Sequence, residues 1–367
     1  MVARQRPPFR ADHVGSLLRP AVLKQARAQL ASGAIDAAAL AAVEDREIER
    51  LVRRQEALGL RAVTDGELRR SWWHLDFLWG LDGVAKHTTN AGVTFAGAAP
   101  RNEGVRVDGR IGFSGHPMLA HYAFLAARAH ATPKLTIPAP SALTGRPVLP
   151  PIDPAVYVSR EQLYADLGAA YRTAVNAFAA AGCRYLQLDE VFIAMLCDSA
   201  YRQKLIARGD DPDALLHVYA GLINAAIADI PADMTVTLHL CRGNFKSTFM
   251  GEGGYEAVHD VLFNEIGVNG YFLEYDDERS GGFEPLRLLP KHKHVVLGLV
   301  TTKRGRLESK DELERRIDAA ARFVDLDQLC LSPQCGFAST EEGNLLTEDE
   351  KWAKLARVVE VAAEVWG

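Results

Sequence analysis

Short apolar segments that each end in polar residues recur along this chain, and Ala-rich or amphipathic stretches lie between them. In order they are DHVGSLL (12–18), RAVTDGE (61–67), KLTIPAPS (134–141), YLQLDE (185–190), TVTLHLC (235–241), GYFLEYD (270–276), HVVLGLV (294–300) and QLCLSPQCG (328–336). The helical stretches include Ile35–Leu58, Arg160–Ala181, Pro212–Ile230, Lys310–Phe323 and Glu348–Val365. Strands that alternate with helices pair in parallel, because each crossover helix carries the chain back to the same end of the sheet. Eight such units are the number that closes on itself, so the expected fold is α/β, a (β/α)8 TIM barrel. One barrel domain over 1–367 is expected. The segment 75–133, with its Gly- and Thr-rich runs, reads as an insert after the second strand, a hairpin or cap over the mouth. Pro7–Pro20 and Pro147–Pro154 read as irregular connectors.

A parallel barrel gathers the carboxyl ends of its strands at one mouth, where residues far apart in sequence share a pocket. Asp65, Glu67, Asp189, Glu190, His239, Cys241, Glu274, Asp276 and Cys335 all fall at or just past such ends. Other functions find little support. The formal charge is −5 and no basic run tracks phosphates, so nucleic acid is not an expected partner. No run of about 18 apolar residues could cross a bilayer, and the basic N-terminus lacks the apolar stretch of a secretory signal. Five cysteines, Cys183, Cys197, Cys241, Cys330 and Cys335, are an odd number in a long chain and do not make a disulfide framework. A reducing cytoplasm fits them, and free thiols there bind metal or do chemistry.

The sharpest local pattern is LHLCRGN, which sets His239 and Cys241 two residues apart. In a strand such residues face the same side, and an imidazole beside a thiol is half of a zinc site. Cys335 in PQCGF and Glu274 in FLEYD arrive from other strand ends and would complete four ligands. The bland readings are a buried cysteine acting as a small hydrophobe and a glutamate salt-bridged at the rim. Cys183, Cys197 and Cys330 are read as hydrophobes of that kind. Structural zinc sites use paired Cys-x-x-Cys knuckles that staple small domains. Ligands drawn from three strands of a large chain, one of them an exchangeable carboxylate, favour catalysis.

At these residues the sequence resembles the cobalamin-independent methionine synthase family, in particular short single-barrel members similar to its catalytic half. The motifs HLCRGN, FLEYDDERSG and LSPQCGFAS carry the resemblance, which runs from FRADHVGSLLRP to the C-terminal segment. It implies a uroporphyrinogen decarboxylase/methionine synthase-like barrel with zinc on His239, Cys241, Glu274 and Cys335. It also implies a homocysteine site at His13, Gly15 and Ser16 in HVGS, Glu67 in TDGE and Asp189 in QLDEV. The chain departs from the family pattern in three places. It has no counterpart of the N-terminal half of the long enzymes. Lys303 stands where the family has a proton-donating histidine. Met195 and Val191 fall where the folate pocket has a glutamate and a proline, and no tryptophan matches the one that packs on the pterin.

The implied reaction is methylation of a thiol, homocysteine to methionine, from methyl-folate or another methyl carrier. Two thiolates and a carboxylate around a dication leave a net charge of about −1, which keeps a bound sulfur nucleophilic. Asp65, Lys303 or a water are the candidates for protonating the leaving atom. Transfer of an epoxide carbon to coenzyme M, methyl delivery by a corrinoid protein, and an inert zinc scaffold stay open as alternatives, as does a homo-oligomer. Asp189 and Ser16 favour an amino-acid thiol, since coenzyme M has no amino group.

Overall fold

The computed structural model describes residues 4–88, 102–145 and 151–367. Ten strands are present among them: β1 (Ala62–Val63), β2 (Asp82–Thr88), β3 (Glu103–Gly112), β4 (Thr132–Pro133), β5 (Leu135–Pro138), β6 (Tyr185–Glu190), β7 (Thr235–Leu240), β8 (Gly270–Glu274), β9 (His294–Val300) and β10 (Leu329–Pro333). β5 to β10 form one parallel sheet in sequence order, and β1 pairs in parallel with β4. The interior strands are covered on both faces: every residue of β6, β7 and β8 is buried, the polar ones included.

The first two expected strands are the ones the structure shortens. Segment 12–18 forms no strand. It meets the sheet at a single bridge, Ala11 with Leu331, where Asp12 N–H donates to Leu331 O at 3.0 Å. The Asp12 carboxylate takes the Phe9 and His13 N–H groups, and Gly15 then turns the chain at φ +134°. Segment 61–67 keeps two strand residues. Gln55, on the helix Ala37–Ala57, bonds both the N–H and the C=O of Thr64, and Gly66 and Glu67 follow with φ of 66° and 58°. The hydrogen-bond ladders therefore run unbroken from β5 to β10, with β1–β4 as a separate pair.

Long helices lie where the sequence places them: Ala37–Ala57, Arg160–Ala180, Pro212–Ala226, Lys310–Ala320 and Glu348–Trp366. Their starts are chemically marked. Ser159 and Asp211 cap two of them, and Thr347 with Glu350 forms a reciprocal capping box on the last. No helix among the described residues is long and apolar enough to cross a membrane.

The expected hairpin within 75–133 is β2 and β3, paired antiparallel; residues 89–101 lie outside the described residues. Pro151 and Asp153 bond both backbone groups of Val107 on β3, while 147–150 of the expected Pro147–Pro154 connector lie outside the described residues. Trp72 Nε1–H donates to the Glu103 carboxylate at 2.6 Å, and Trp72 bridges Thr340, so the start of β3 is tied to the loops beyond β10.

Candidate metal centre

Four side chains converge at the carboxyl ends of β7, β8 and β10. Cys241 N–H donates to Glu190 O, which prolongs the β7 ladder by one residue and keeps Cys241 on the face of His239. Glu274 closes β8, and Cys335 follows β10 by two residues. Gly298 on β9 lets these ends approach: a Cβ there would lie 2.9 Å from Gln334 Cα and 2.8 Å from Leu273 O. All four residues are buried, and one ligand atom from each lies within 4.8 Å of the other three. The sulfurs of Cys241 and Cys335 are 3.5 Å apart.

The donor set fits a dication that prefers nitrogen and sulfur. Around such an ion, bonds of about 2.0–2.3 Å in a tetrahedral array bring ligand atoms to this spacing. His239 Nδ1 faces Phe272 O at 3.4 Å, while Nε2 is buried with no hydrogen-bond partner. One nitrogen on a carbonyl and the other free is how a metal-binding imidazole is oriented. The local field also invites a cation. Burial works against a charged His239, yet Cys241, Asp189 and Glu274 lift its pKa above the ordinary value. Cys241 is held well above the usual thiol range by Cys335 and then by burial, so without a cation this thiol resists ionisation.

Glu274 is anchored on both oxygens. Oε1 accepts Arg242 N–H at 2.8 Å and Oε2 accepts Arg279 Nη2–H at 3.0 Å. Burial would raise its pKa, but the charges of Lys303 and Arg279 outweigh burial and hold it below the usual carboxylate value. Lys303 Nζ donates to Gly243 O (2.8 Å), Asn244 Oδ1 (3.1 Å) and Thr248 O (3.0 Å), fastening the loop that follows Cys241. The Arg242 guanidinium lies fully buried over the Tyr255 ring, 4.5 Å from its centroid.

The other expected residues arrange themselves around this cluster. Asp189 accepts Gln187 Nε2–H at 2.7 Å; burial raises its carboxyl to about 7, against the attraction of His239. Glu67 Oε1 accepts the Thr136 hydroxyl at 2.8 Å and pairs with Arg70, leaving Oε2 buried without a partner. Its left-handed backbone is uncommon for a long side chain and marks a position that its surroundings hold in place. Ser16 packs on the loop after Cys335: its carbonyl accepts Phe337 N–H at 2.9 Å, and a Cβ on Gly336 would come within 1.9 Å of its Oγ. Gly15 is fixed by its φ and by Thr136, whose Cγ2 would be 2.7 Å from any Cβ.

Two expected residues are engaged elsewhere. The His13 ring is buried with Nε2 3.3 Å from Ala62 O, and burial with the nearby Lys134 charge lowers its pKa to about 4. Asp65 Oδ1 accepts Glu67 N–H at 2.8 Å and shapes the turn that presents Glu67.

Sequence reasoning passed over three polar groups. Arg279, inside FLEYDDERSG, pairs with Glu274, Asp276 and Asp277. Asn244, inside HLCRGN, donates to Gly336 O at 2.6 Å. Arg19 bonds four carbonyls, those of Leu17, Glu67, Arg70 and Ala338, and so ties together the loops that carry Ser16, Glu67 and Cys335. All three stood in quoted segments, Arg19 in FRADHVGSLLRP. Arg19 uses only backbone partners and leaves no trace in composition or spacing.

The family model described as "Cobalamin-independent synthase, Catalytic domain" matches residues 9–364. The Bacillus subtilis protein YxjG is 51% identical over 99% of this chain and 96% of its own length. A solved candidate vitamin-B12-independent methionine synthase from Listeria monocytogenes superposes with a TM-score of 0.79 at 38% identity, covering 99% of this chain and 100% of that one. The 5-methyltetrahydropteroyltriglutamate–homocysteine methyltransferase of Mycolicibacterium paratuberculosis is 26% identical over 98% of this chain, which spans 43% of that enzyme's length.

Proposed function

The chain belongs to the cobalamin-independent synthase catalytic-domain family, and on that premise we propose that it is a zinc-dependent methyltransferase that methylates the sulfur of homocysteine to give methionine. The observation that carries the reading is the buried His239–Cys241–Glu274–Cys335 cluster with its donor atoms within 4.8 Å of one another. Its support lies also in the ring of polar groups beside it. The donor is methyl-folate or another methyl carrier, and the catalytic unit is read as one closed (β/α)8 barrel with the β2–β3 hairpin as a cap near its mouth.

Zinc bound to these four residues would act as a Lewis acid, lowering a thiol pKa that ordinarily lies near 8.5 so that thiolate exists at neutral pH. Each of the chain's own residues then has a task. Cys241 and Cys335, once deprotonated, supply charge that keeps a neighbouring sulfur electron-rich. Asp189, whose carboxyl lies at about 7, sits where an incoming ammonium group would favour its ionised form. Glu67 offers its unpartnered Oε2 to the same group. Ser16 presents its hydroxyl and Gly15 its loop to the amino-acid carboxylate. Arg19 fixes the three loops on which these groups stand, so the thiol meets a prearranged site rather than assembling one. Lys303 keeps the 243–248 loop in place beside Glu274, and it donates a proton to the leaving atom only by giving up one of its three acceptors.

The test is metal analysis of the purified chain followed by a donor panel with homocysteine: mono- and triglutamyl methyl-folate, methylcobalamin, a methyl sulfonium and an epoxide. About one zinc per chain and methionine from at least one methyl donor is the expected result. A metal-free chain with full activity, or alkylation only from the epoxide, would overturn the reading.

A further inference from the structure

Glu274 has its two carboxylate oxygens engaged by the protein before any ion is considered. Oε1 takes the Arg242 backbone N–H at 2.8 Å, and Oε2 takes the Arg279 guanidinium at 3.0 Å. Arg279 is itself immobilised. It is 6% exposed, pairs with Asp276 Oδ1 at 2.8 Å and with the Asp277 carboxylate, and lies over the Phe249 ring 5.1 Å from its centroid. Asp277 Oδ1 also accepts the Arg279 backbone N–H at 3.1 Å, so the residue is held at both ends. A carboxylate already paired with a fixed guanidinium binds a cation less tightly than a bare carboxylate does. It also keeps a place to stay when it lets the cation go.

We propose that Arg279 is a positioning residue that receives Glu274 when an incoming thiol takes its ligand place, so that the exchange leaves no unpaired buried charge. The proposal rests on the metal reading above. An unaccompanied carboxylate in this pocket would carry the full desolvation cost of a buried charge, and that cost would oppose thiol entry. With Arg279 in place, Glu274 keeps a partner whether or not it is a ligand. The proton released by the thiol passes to solvent. The bonds lost are the carboxylate's to the ion and the thiol's S–H, the bond gained is the sulfur's to the ion, and the freed carboxylate keeps its pairing with Arg279.

Substituting Arg279→Met separates this role from plain structural support, because the two move metal retention in opposite directions. If Arg279 receives Glu274, its loss makes the carboxylate a firmer ligand. Zinc should then leave several-fold more slowly to a chelator, and KM for homocysteine should rise roughly tenfold, the scale of one charge-assisted hydrogen bond, with kcat less affected. Zinc K-edge absorption should show an added sulfur and a lost oxygen when homocysteine meets the unaltered chain, but a retained oxygen in the variant. Arg279→Lys, which restores the charge without the planar fork, should fall between the two, and it carries the test if the Met variant does not fold. Faster zinc loss in both variants, or variants that exchange oxygen for sulfur at the same homocysteine concentration as the unaltered chain, would overturn the proposal. An unaltered chain that holds zinc yet gains no sulfur would instead show the thiol-binding reading beneath it to be at fault.

Discussion

The sulfur atoms of Cys241 and Cys335 lie 3.5 Å apart although 94 residues separate them in the chain. The parallel sheet brings them together: one ends the β7 ladder, the other follows β10, and β8 and β9 lie between. Cys335→Ser is therefore expected to lower zinc content from about one per chain to a small fraction while leaving the fold intact, since the core does not depend on an ion for its burial. Thiol methylation should fall by two orders of magnitude or more. Metal analysis beside far-ultraviolet circular dichroism checks it, and a fully loaded, fully active serine variant would remove Cys335 from the site.

Gly336 faces Ser16 so closely that a Cβ would come within 1.9 Å of the hydroxyl oxygen and 3.1 Å of Ser16 Cβ. Gly336→Ala should displace the Ser16 side chain or the loop after Cys335, at a cost of about 1–3 kcal/mol. Homocysteine KM should rise more than kcat falls, because Ser16 is read as holding the substrate carboxylate. Denaturant unfolding and steady-state kinetics on the same variant measure the two effects.

Glu190 is buried, its carboxylate accepting the Phe192 and Ile193 N–H groups and the Ser141 hydroxyl, yet burial raises its pKa to about 7. A carboxyl whose folded pKa exceeds its unfolded value of about 4.3 holds more protons in the native state, so its contribution is complete below that value and is lost as pH rises towards 7. The loss is of order 3–4 kcal/mol, from a shift of two to three units at about 1.36 kcal/mol each. Glu190→Gln can still accept from Phe192 and Ile193 through Oε1 while turning its amide towards Ser141. Unfolding free energies across pH 4.5–8 should show a smaller decline in this variant, and an unchanged slope would assign the decline to other groups.

Lys303 commits its three protons to Gly243 O, Asn244 Oδ1 and Thr248 O. Lys303→Met should release this loop, and amide exchange across 243–250 is expected to rise about tenfold or more, the loss of one buried network. If Lys303 served only as a proton source, kcat would fall with exchange unchanged. The two outcomes are read in one mass-spectrometric experiment paired with an assay.

The later strands were plain in the sequence because a run such as VVLGLV is apolar on both faces, as a covered parallel sheet requires. The first two were overdrawn. In 12–18 the Asp12 carboxylate takes two backbone donors, and in 61–67 the Gln55 side chain takes both backbone groups of Thr64. Such interceptions come from distant or irregular contacts and have no periodicity. The four ligand candidates were legible for a simple reason: side-chain parity in a strand puts His239 and Cys241 on one face, and parallel strands share one end. Arg279 and Arg19 were not. A charged residue in a strand-end loop looks solvated until its partners are seen, and the partners of Arg19 are carbonyls that every residue possesses.

The single bridge between Ala11 and Leu331 is a thin seam beside a continuous parallel sheet. Ser16 lies just past that seam on one side, and Gly336 and Cys335 lie on the other. An amino acid held by Ser16 through its carboxylate and by the Cys335 side through its sulfur would span the join like a staple. Ligation would then add a crosslink to those that Arg19 and the Phe337 N–H already make across the join, and thermal melting should climb with thiol concentration even when no methyl donor is present.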